Sequence, residues 1–172
     1  MKEKISKAID EKVESSNRIN NMAQALMGHP DLLKHPMMLK QAKRDYDSLS
    51  AIGGEIDKLY GTLPYKLNSL DKSNIRHPYA NAKLVRKYPE EFVRELGIMK
   101  EDADRLENKP EWDTESDLLN NEYGLKLGKE YPTAPDIVLF DRILDNFGLP
   151  VPTRDKLHGY VQKKEYLNNP RF

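Results

Sequence analysis

The stretch that decides the fold runs from His77 to Pro132, opening with HPYANAKLVRKYPEEFVRELG and closing with SDLLNNEYGLKLGKEYP. Its apolar residues recur at three- and four-residue spacing, which predicts helices. Two polar groups, at residues 77–81 and 117–122, interrupt this apolar pattern. Because each group lies near the start of a predicted helix, the two are the first candidates for a functional site.

Proline and glycine divide the stretch into short predicted helices, since proline suits a first helical turn and glycine suits the residue after the last. The predicted boundaries are beginnings at Pro78 and Pro89 and ends at Gly97 and Gly128. Thr114, followed three residues later by Asp117, resembles a capping box and predicts a helix that begins there. Thr133 and Asp136 repeat this start signal.

The rest of the chain also shows helical patterns. Residues 2–27 and residues 36–60 each carry an amphipathic pattern, and together they predict a helical hairpin over residues 1–60. A linker with Gly, Pro and Asn, residues 61–74, leads to a helical body over residues 75–172. No segment shows the sustained two-residue alternation of a strand. The predicted fold class is therefore all-α, a long N-terminal helical hairpin followed by a bundle of short helices.

Composition and charge argue against several classes of protein. The 172 residues include 28 basic and 28 acidic side chains, so the formal net charge is zero. This balance argues against a dedicated nucleic-acid binder, which usually carries a basic excess, and it favours a protein that works in an assembly. The absence of cysteine excludes disulfides and thiolate chemistry.

The distribution of apolar residues predicts no membrane span and no secretory signal. The longest apolar runs are short, as in Ile137–Phe140, and the beginning of the chain, MKEKISKAIDEKVESS, has no apolar core. We therefore expect synthesis in the cytoplasm without an export signal.

The two polar groups supply the candidate catalytic residues. His77 lies directly before a proline, and Asp117 and Asn121, four residues apart, share one face of a helix. If the protein is an enzyme, these three form its predicted catalytic set. The histidines lack the spacing of a helical metal site, and no phosphate-binding glycine loop is present, so the sequence predicts neither a metal nor a cofactor. The many carboxylates of residues 90–104, Glu101 among them, are interpreted as a solvated helix face.

Two further sets of residues are candidates for contacts with other molecules. The residues predicted to contact a protein partner are Tyr79, Asn81, Asn120 and Glu122. Asparagine is a poor helix former, so the adjacent amides at 120–121 are expected to be used, either for recognition or to satisfy buried backbone groups. The candidate nucleic-acid surface, a basic group interleaved with tyrosines, is Lys83, Arg86, Lys87 and Arg94. Neighbouring acidic residues favour an ordinary solvated surface there.

The order His-x-Tyr-x-Asn-Ala at residues 77–82, then Gly97, then Asp-x-x-Asn-Asn-x-x-Gly-x-x-x-Gly at residues 117–128 resembles a known family. This family is an uncharacterised helical domain of bacteriophage virion-associated and ejected proteins, also found at the C-termini of some bacterial polymorphic toxins. Its members carry a glutamate near the end of the middle helix, often after a histidine; the corresponding residue here is Glu101, which follows Lys100. The resemblance implies a phage or mobile-element origin and, since the function of the family is unsettled, no particular reaction.

Three functional hypotheses follow. The leading one is a non-enzymatic structural or interaction component of a bacteriophage virion, or a protein delivered with it. Such a protein is made in the host cytoplasm and then enters the virion, and its partners are other subunits, copies of itself included. The alternatives are a toxin-like or cell-wall-degrading hydrolase with a His/Asp/Asn cleft, and a nucleic-acid-binding protein of the capsid interior.

Geometry separates the first two hypotheses. In a hydrolase, His77 should lie within about 3–4 Å of Asp117 or Asn121 beside an accessible pocket. In a structural protein, these side chains should be buried and mutually satisfied, or should lie apart.

Overall fold

The computed structural model describes the backbone of residues 2–61 and 69–148 and the side chains of residues 11–49 and 72–148. Within these ranges the chain forms helices and no strand, which confirms the all-α prediction. The helices are α1 (Lys2–Met27), α2 (Pro30–Leu33), α3 (Pro36–Gly61), α4 (Ser69–Val85), α5 (Glu90–Leu106), α6 (Glu111–Glu130) and α7 (Asp136–Asn146). None of the helices so described is long and apolar enough to cross a membrane.

Parts of two predicted segments lie outside the described residues, and one predicted segment overlaps a helix. Residues 149–172 of the predicted helical body lie outside the described residues, as do residues 62–68 of the predicted linker. Helix α4 begins at Ser69, so the final residues of the predicted linker 61–74 are helical.

Helix α4 lies at the centre of the fold, because α3, α5, α6 and α7 all contact it. Its most extensive contact is with α6, which also packs on α5. One hydrophobic cluster joins α4 to α6 and α7, and in it Tyr79 stacks on Phe140 with ring centroids 4.4 Å apart. A second cluster, which includes Leu84 and Val93, joins α5 to α1, α3 and α4. Burial of each large apolar side chain contributes about 1.5–3 kcal/mol, so these clusters fix the helices around α4.

Two glycines bring α6 against α4. A Cβ atom on Gly124 would lie 2.5 Å from the carbonyl oxygen of Pro78, and one on Gly128 would collide with the carbonyl oxygen of Ala82. Backbone atoms cannot move aside as a flexible side chain can, so this close approach requires glycine. Helix α6 continues past Gly128 to Glu130, so the prediction that Gly128 ends a helix is wrong.

Two other predicted boundaries also lie inside helices. Pro78 is in the interior of α4, and Gly97 is in the interior of α5. Both lie at helix contacts, Pro78 against Gly124 and Gly97 against Asn121. Tertiary packing thus outweighs the local cost of proline or glycine within a helix, which the sequence pattern alone does not reveal.

The predicted capping box at Thr114 is also wrong. Helix α6 begins at Glu111, directly after Pro110, so Thr114 lies within it. Its side chain is buried, and its hydroxyl oxygen has no hydrogen-bond partner within the part of the chain that the structure describes. The proline before the helix, rather than the threonine inside it, marks the beginning.

The two long N-terminal helices pack on the helical body. Within the described ranges, α1 packs chiefly on α5, and α3 packs chiefly on α4. The arms of the predicted hairpin therefore make their main contacts with the body rather than with each other.

His29, in the turn between α1 and α2, fastens this N-terminal region to α5. Its Nδ1 lies 2.6 Å from Glu95 Oε1, and its Nε2 lies 2.9 Å from Asp102 Oδ2. Burial lowers the pKa of His29, but the two carboxylates outweigh this effect and hold the pKa above its ordinary value of 6.5. The charged imidazolium, which donates from both ring nitrogens, is thus the form that joins the turn to α5.

Candidate functional site

Three neighbouring helices each contribute one ionisable side chain to a buried cluster. These are His77 from α4, Glu101 from α5 and Asp117 from α6, and they are 6 %, 0 % and 5 % exposed. One nitrogen or oxygen atom from each lies within 4.8 Å of the other two. Because buried ionisable groups are costly unless they are paired, a convergence of three deserves a chemical explanation.

Hydrogen bonds fix the orientation of the His77 ring. Its Nδ1 lies 3.0 Å from Asn121 Oδ1, and that oxygen also accepts a hydrogen bond of 2.7 Å from Asn81 Nδ2. An amide oxygen only accepts, so His77 carries its proton on Nδ1. The lone pair of Nε2 then points toward Asp117 Oδ2, 3.4 Å away.

A second set of contacts positions the remaining groups. The hydroxyl of Ser73 donates to Asp117 Oδ1. Asn81 Nδ2 also donates to the backbone carbonyl of His77, at 3.0 Å. Gly97 leaves room for Asn121, because a Cβ atom there would lie 3.1 Å from Asn121 Nδ2. The cluster is therefore built by local side-chain bonds and by a glycine on the facing helix.

Glu101 is the most deeply buried member of the cluster. Its Oε1 accepts a hydrogen bond of 2.9 Å from Lys100 Nζ, whereas its Oε2 is buried and has no hydrogen-bond partner among the described residues. Burial raises the pKa of Glu101 to about 7, while the ammonium of Lys100 acts in the opposite direction. A buried acceptor without a donor costs about 1–3 kcal/mol, which a purely structural side chain seldom retains.

The pKa of His77 is shifted in the opposite direction from that of Glu101. Burial, followed by the positive charge of Lys100, lowers the pKa of His77 to about 4, although Asp117 and Asn121 act against this change. At neutral pH the imidazole is therefore neutral, and the lone pair of its Nε2 is free to accept a proton or to bind a cation.

Two lysines beside the cluster pair with carboxylates of α5. Lys100 Nζ lies 3.0 Å from Asp104 Oδ2, and the ammonium of Lys109 contacts the same oxygen. Burial lowers the pKa of Lys100, but nearby Tyr46, Glu101 and Asp104 outweigh it, so the pKa of Lys100 is raised and the residue stays charged. A fixed positive charge thus lies next to the buried carboxyl groups.

His77 and Asp117 form part of the wall of a cavity of about 630 Å³. The ammonium-bearing Lys100 also lines it, together with apolar side chains such as Leu26 and Leu39. Its lining includes Arg18 and Lys43, whose side chains are 69 % and 60 % exposed, so the cavity reaches solvent. Ligand sites typically have this size and this mixture of apolar wall and few polar groups.

The structure brings together the three residues proposed from the sequence as a catalytic set, His77, Asp117 and Asn121. It adds Glu101, which the sequence analysis assigned to a solvated face. Its position in the family resemblance is the one signal that could have identified it, because the residues directly before and after it, Lys100 and Asp102, are both charged. No metal site was expected, and the structure nevertheless places a histidine and two carboxylates together.

The residues predicted to contact a protein partner are mostly interior. Tyr79 is buried and donates to Asp136 Oδ2 at 2.8 Å, and Asn120 is buried and donates to Asn74 Oδ1 at 3.0 Å. Asn81 belongs to the His77 network. Only Glu122, among these four predicted residues, is exposed, and it accepts from Arg94 at 2.7 Å. The first three stabilise this chain, because α4 and α6 meet where they lie.

The four basic residues of the candidate nucleic-acid surface are each engaged within the chain. Lys83 bonds to Asp136 and Lys87 to Asp45, both through carboxylate oxygens. Arg86 donates to the backbone carbonyls of Tyr131 and Ala134, and Arg94 pairs with glutamates. They do not form a stripe of unpaired cations of the kind that binds a phosphate backbone.

Comparisons of this chain with protein-family models, with curated proteins and with solved structures found no match. The site must therefore be interpreted from its own geometry.

Proposed function

We propose that the protein is a hydrolase of the toxin-like or cell-wall-degrading class, with its active site at the His77–Asp117 pair. The observation that carries this proposal is the approach of His77 Nε2 to Asp117 Oδ2, 3.4 Å apart, at the wall of a cavity that reaches solvent. Two side chains that can activate water, brought from different helices to one cavity, are a characteristic arrangement of hydrolytic sites.

The burial of His77 and Asp117 is equally compatible with an enzyme and with a structural protein. A second feature is therefore needed to choose between these two functions. A structural network of buried polar groups satisfies its members, whereas Glu101 Oε2 has no hydrogen-bond partner among the described residues, and Glu101 Oε1 lies 3.9 Å from His77 Nδ1. The cavity adjoining the cluster also makes room for a substrate. Both features favour an enzyme over a scaffold.

The side chains of this site supply the groups that hydrolysis requires. His77 and Asp117 activate a water molecule in the cavity, and Asn121 holds the His77 ring in the required tautomer. The oxygen of the water joins one product, its proton passes to the leaving atom of the other, and no oxidant or reductant is consumed. Lys100 lies where negative charge that develops on the substrate would be stabilised.

The test is cleavage of candidate polymers by the full-length chain. Isolated bacterial cell walls, and in parallel protein and nucleic-acid substrates, are incubated in heavy-oxygen water, and the products are examined by mass spectrometry. Hydrolysis is expected to leave one heavy oxygen per broken bond. Asp117→Asn should lower the rate at least about 100-fold, the usual loss when a group that handles a proton is removed.

Matched controls separate this effect from general damage. Glu115→Gln is an exposed change on the same helix, and His35→Gln replaces an exposed histidine in place of His77. Both should retain the wild-type rate. Failure to cleave any of these polymers, or equal cleavage by wild type and Asp117→Asn, would contradict the proposal.

A virion component is the second candidate, and the outer face of α6 supports it. Trp112 and Leu119 lie seven residues apart, and they are 60 % and 72 % exposed. Large apolar side chains on one solvent-facing side of a helix favour contact with another protein. A protein made in the host cytoplasm and carried in a bacteriophage virion, as the family resemblance suggests, would use such a face on copies of itself or on other subunits.

Light scattering over a range of protein concentrations tests self-association through this face. We expect association that Trp112→Ala weakens and that Met37→Ala, the loss of an exposed apolar side chain on α3, leaves intact. A monomer at every concentration would remove the support for contact between copies.

A further inference from the structure

We infer that His77, Glu101 and Asp117 form a binding site for one divalent transition-metal ion, with Zn²⁺ as the reference cation. The inference rests on the proposed function and deepens it, because His77 and Asp117 would then activate water through the ion that they hold rather than by taking its proton themselves. The binding itself can be measured without any substrate.

The donor atoms have the right kinds and spacing. One atom from each side chain lies within 4.8 Å of the other two. His77 Nε2 is 3.4 Å from Asp117 Oδ2, and Glu101 Oε1 is 3.9 Å from His77 Nδ1. A tetrahedral cation with ligands at about 2.1 Å holds its ligand atoms about 3.4 Å apart. One imidazole with two carboxylates suits Zn²⁺ or Mn²⁺, whereas Ca²⁺ requires more oxygen ligands.

The surroundings of the donors orient them as ligands are oriented in metal sites. His77 donates its Nδ1 proton to Asn121 Oδ1, so its Nε2 lone pair is directed at the site. The hydroxyl of Ser73 holds the other oxygen of Asp117. A metal-binding histidine usually makes such a bond from its second nitrogen, and a ligating carboxylate is usually held in this way.

An independent observation comes from Glu101. Its side chain is fully buried, and its Oε2 has no hydrogen-bond partner although Oε1 is bonded to Lys100. A cation held with His77 and Asp117 would supply the missing partner. Without one, the fold retains an unsatisfied buried carboxylate oxygen at a cost of about 1–3 kcal/mol or more.

The site also has room for a further ligand. His77 and Asp117 line the cavity of about 630 Å³, so three protein ligands leave a position open to water or substrate. Catalytic zinc sites keep such an open position, whereas structural zinc sites are closed by four protein ligands. The geometry thus matches a catalytic rather than a structural ion.

The test is titration of the tag-free, chelator-treated full chain with Zn²⁺ in a calorimeter. We expect one ion per chain with a dissociation constant of about 1 µM or below. The ligand variants His77→Gln, Glu101→Gln and Asp117→Asn should each weaken binding at least about tenfold. The controls His35→Gln, Glu91→Gln and Glu115→Gln alter exposed residues of the same types and should bind as wild type does.

X-ray absorption at the zinc edge needs no variant, and it therefore remains informative if a ligand variant fails to fold. The wild-type complex should show nitrogen and oxygen ligands at about 2.0–2.1 Å with one imidazole among them. Absence of binding, two or more imidazoles, or unchanged affinity in all three folded ligand variants would overturn the inference.

The metal inference and the proposed hydrolysis fail in different ways. Absence of Zn²⁺ binding together with full cleavage by the metal-free chain refutes the metal site and leaves the hydrolase standing. Tight binding of one ion to the three ligands without cleavage of any polymer refutes the hydrolase and leaves the metal site standing.

Discussion

The two halves of helix α6 use the same face in different ways. In the C-terminal half, Gly124 and Gly128 bring the backbone of α4 into direct contact. In the half that precedes it and reaches the middle of the helix, Asp117 and Asn121 make hydrogen bonds with Ser73 and His77 of α4. The four residues follow three- and four-residue spacing, so they form one continuous line along the helix.

The polar half of α6, with Asp117 and Asn121, depends on the glycine half, with Gly124 and Gly128. Asparagine and aspartate are short, so they reach across to α4 only where the two helices lie close together. The glycines provide that closeness, and Asn81 and Asn121 then meet at 2.7 Å. A larger residue in the glycine half is therefore expected to disturb the polar half as well.

The strongest test of this comparison is Gly124→Ala. Its Cβ atom would meet backbone atoms of Pro78 at 2.5 and 2.8 Å, and backbone cannot rotate away. We expect a loss of about 3 kcal/mol in the free energy of unfolding, at the upper end of the cost of overpacking. Chemical denaturation measures this loss, with Lys126→Ala, an exposed change in the same helix, as the control. A stability equal to that of the control would show that the contact between α4 and α6 is not tight.

A second change acts on the polar half. Asn121→Ala removes the oxygen that accepts from His77 Nδ1 and from Asn81 Nδ2, and it leaves both donors buried. We expect a loss of about 2 kcal/mol in the free energy of unfolding, since buried unpaired donors are expensive. The His77 ring should also lose its fixed orientation, which nuclear magnetic resonance of the imidazole nitrogens would detect. A ring that keeps one tautomer in the variant would contradict the role assigned to Asn121.

A third test contrasts His77 with His29, the buried histidine in the turn between α1 and α2. Its pKa is raised above 6.5, so its stabilising effect is fully present below pH 6.5 and is lost as the pH rises through the folded-state value. The carboxylates of Glu95 and Asp102 are 35 % and 37 % exposed, so solvent screening limits the effect to about 1 kcal/mol.

The measurement for His29 is the free energy of unfolding as a function of pH. The difference between wild type and His29→Gln should be largest in mildly acidic solution and should shrink as the pH rises above neutrality. His35→Gln, a change at an exposed histidine, should show no such trend. A difference that grows with pH would mean that the neutral imidazole makes the contact.

The smallest effect is expected on the outer face of α6. Glu122 is exposed and accepts two bonds from Arg94, at 2.7 and 3.1 Å. Exposed ion pairs contribute about 0–1 kcal/mol, so Glu122→Gln should change the free energy of unfolding by less than about 0.5 kcal/mol. A loss comparable to that of Asn121→Ala would show that the two faces of α6 are not as different as their burial indicates.

Sequence patterns located the helices better than their ends. The long pattern over residues 2–27 corresponds to α1, whereas the ends predicted at Gly97 and Gly128 fall inside helices. Both glycines face another helix, and a single sequence carries no record of which helix that is. Local propensity is a weak guide at such positions, because a tertiary contact outweighs about 1 kcal/mol of helix preference.

The candidate site was predictable in part. His77, Asp117 and Asn121 were singled out because polar residues interrupted an apolar pattern, and all three lie in one cluster. Glu101 was not singled out, since a glutamate among charged neighbours normally points to solvent. Its burial follows from the packing of α5 against α6, a contact between residues distant in the sequence.

The sequence by itself determined the helical class, because the spacing of apolar residues and the choice of proline and glycine act over a few neighbouring residues. The line Asp117, Asn121, Gly124 and Gly128 is likewise a local property of one helix. Only the tertiary structure decided that this line meets α4 and that Asp117, at its beginning, lines a cavity. It also placed the carboxylate of Glu101 beside His77, because three helices must pack together before their side chains can share one buried site.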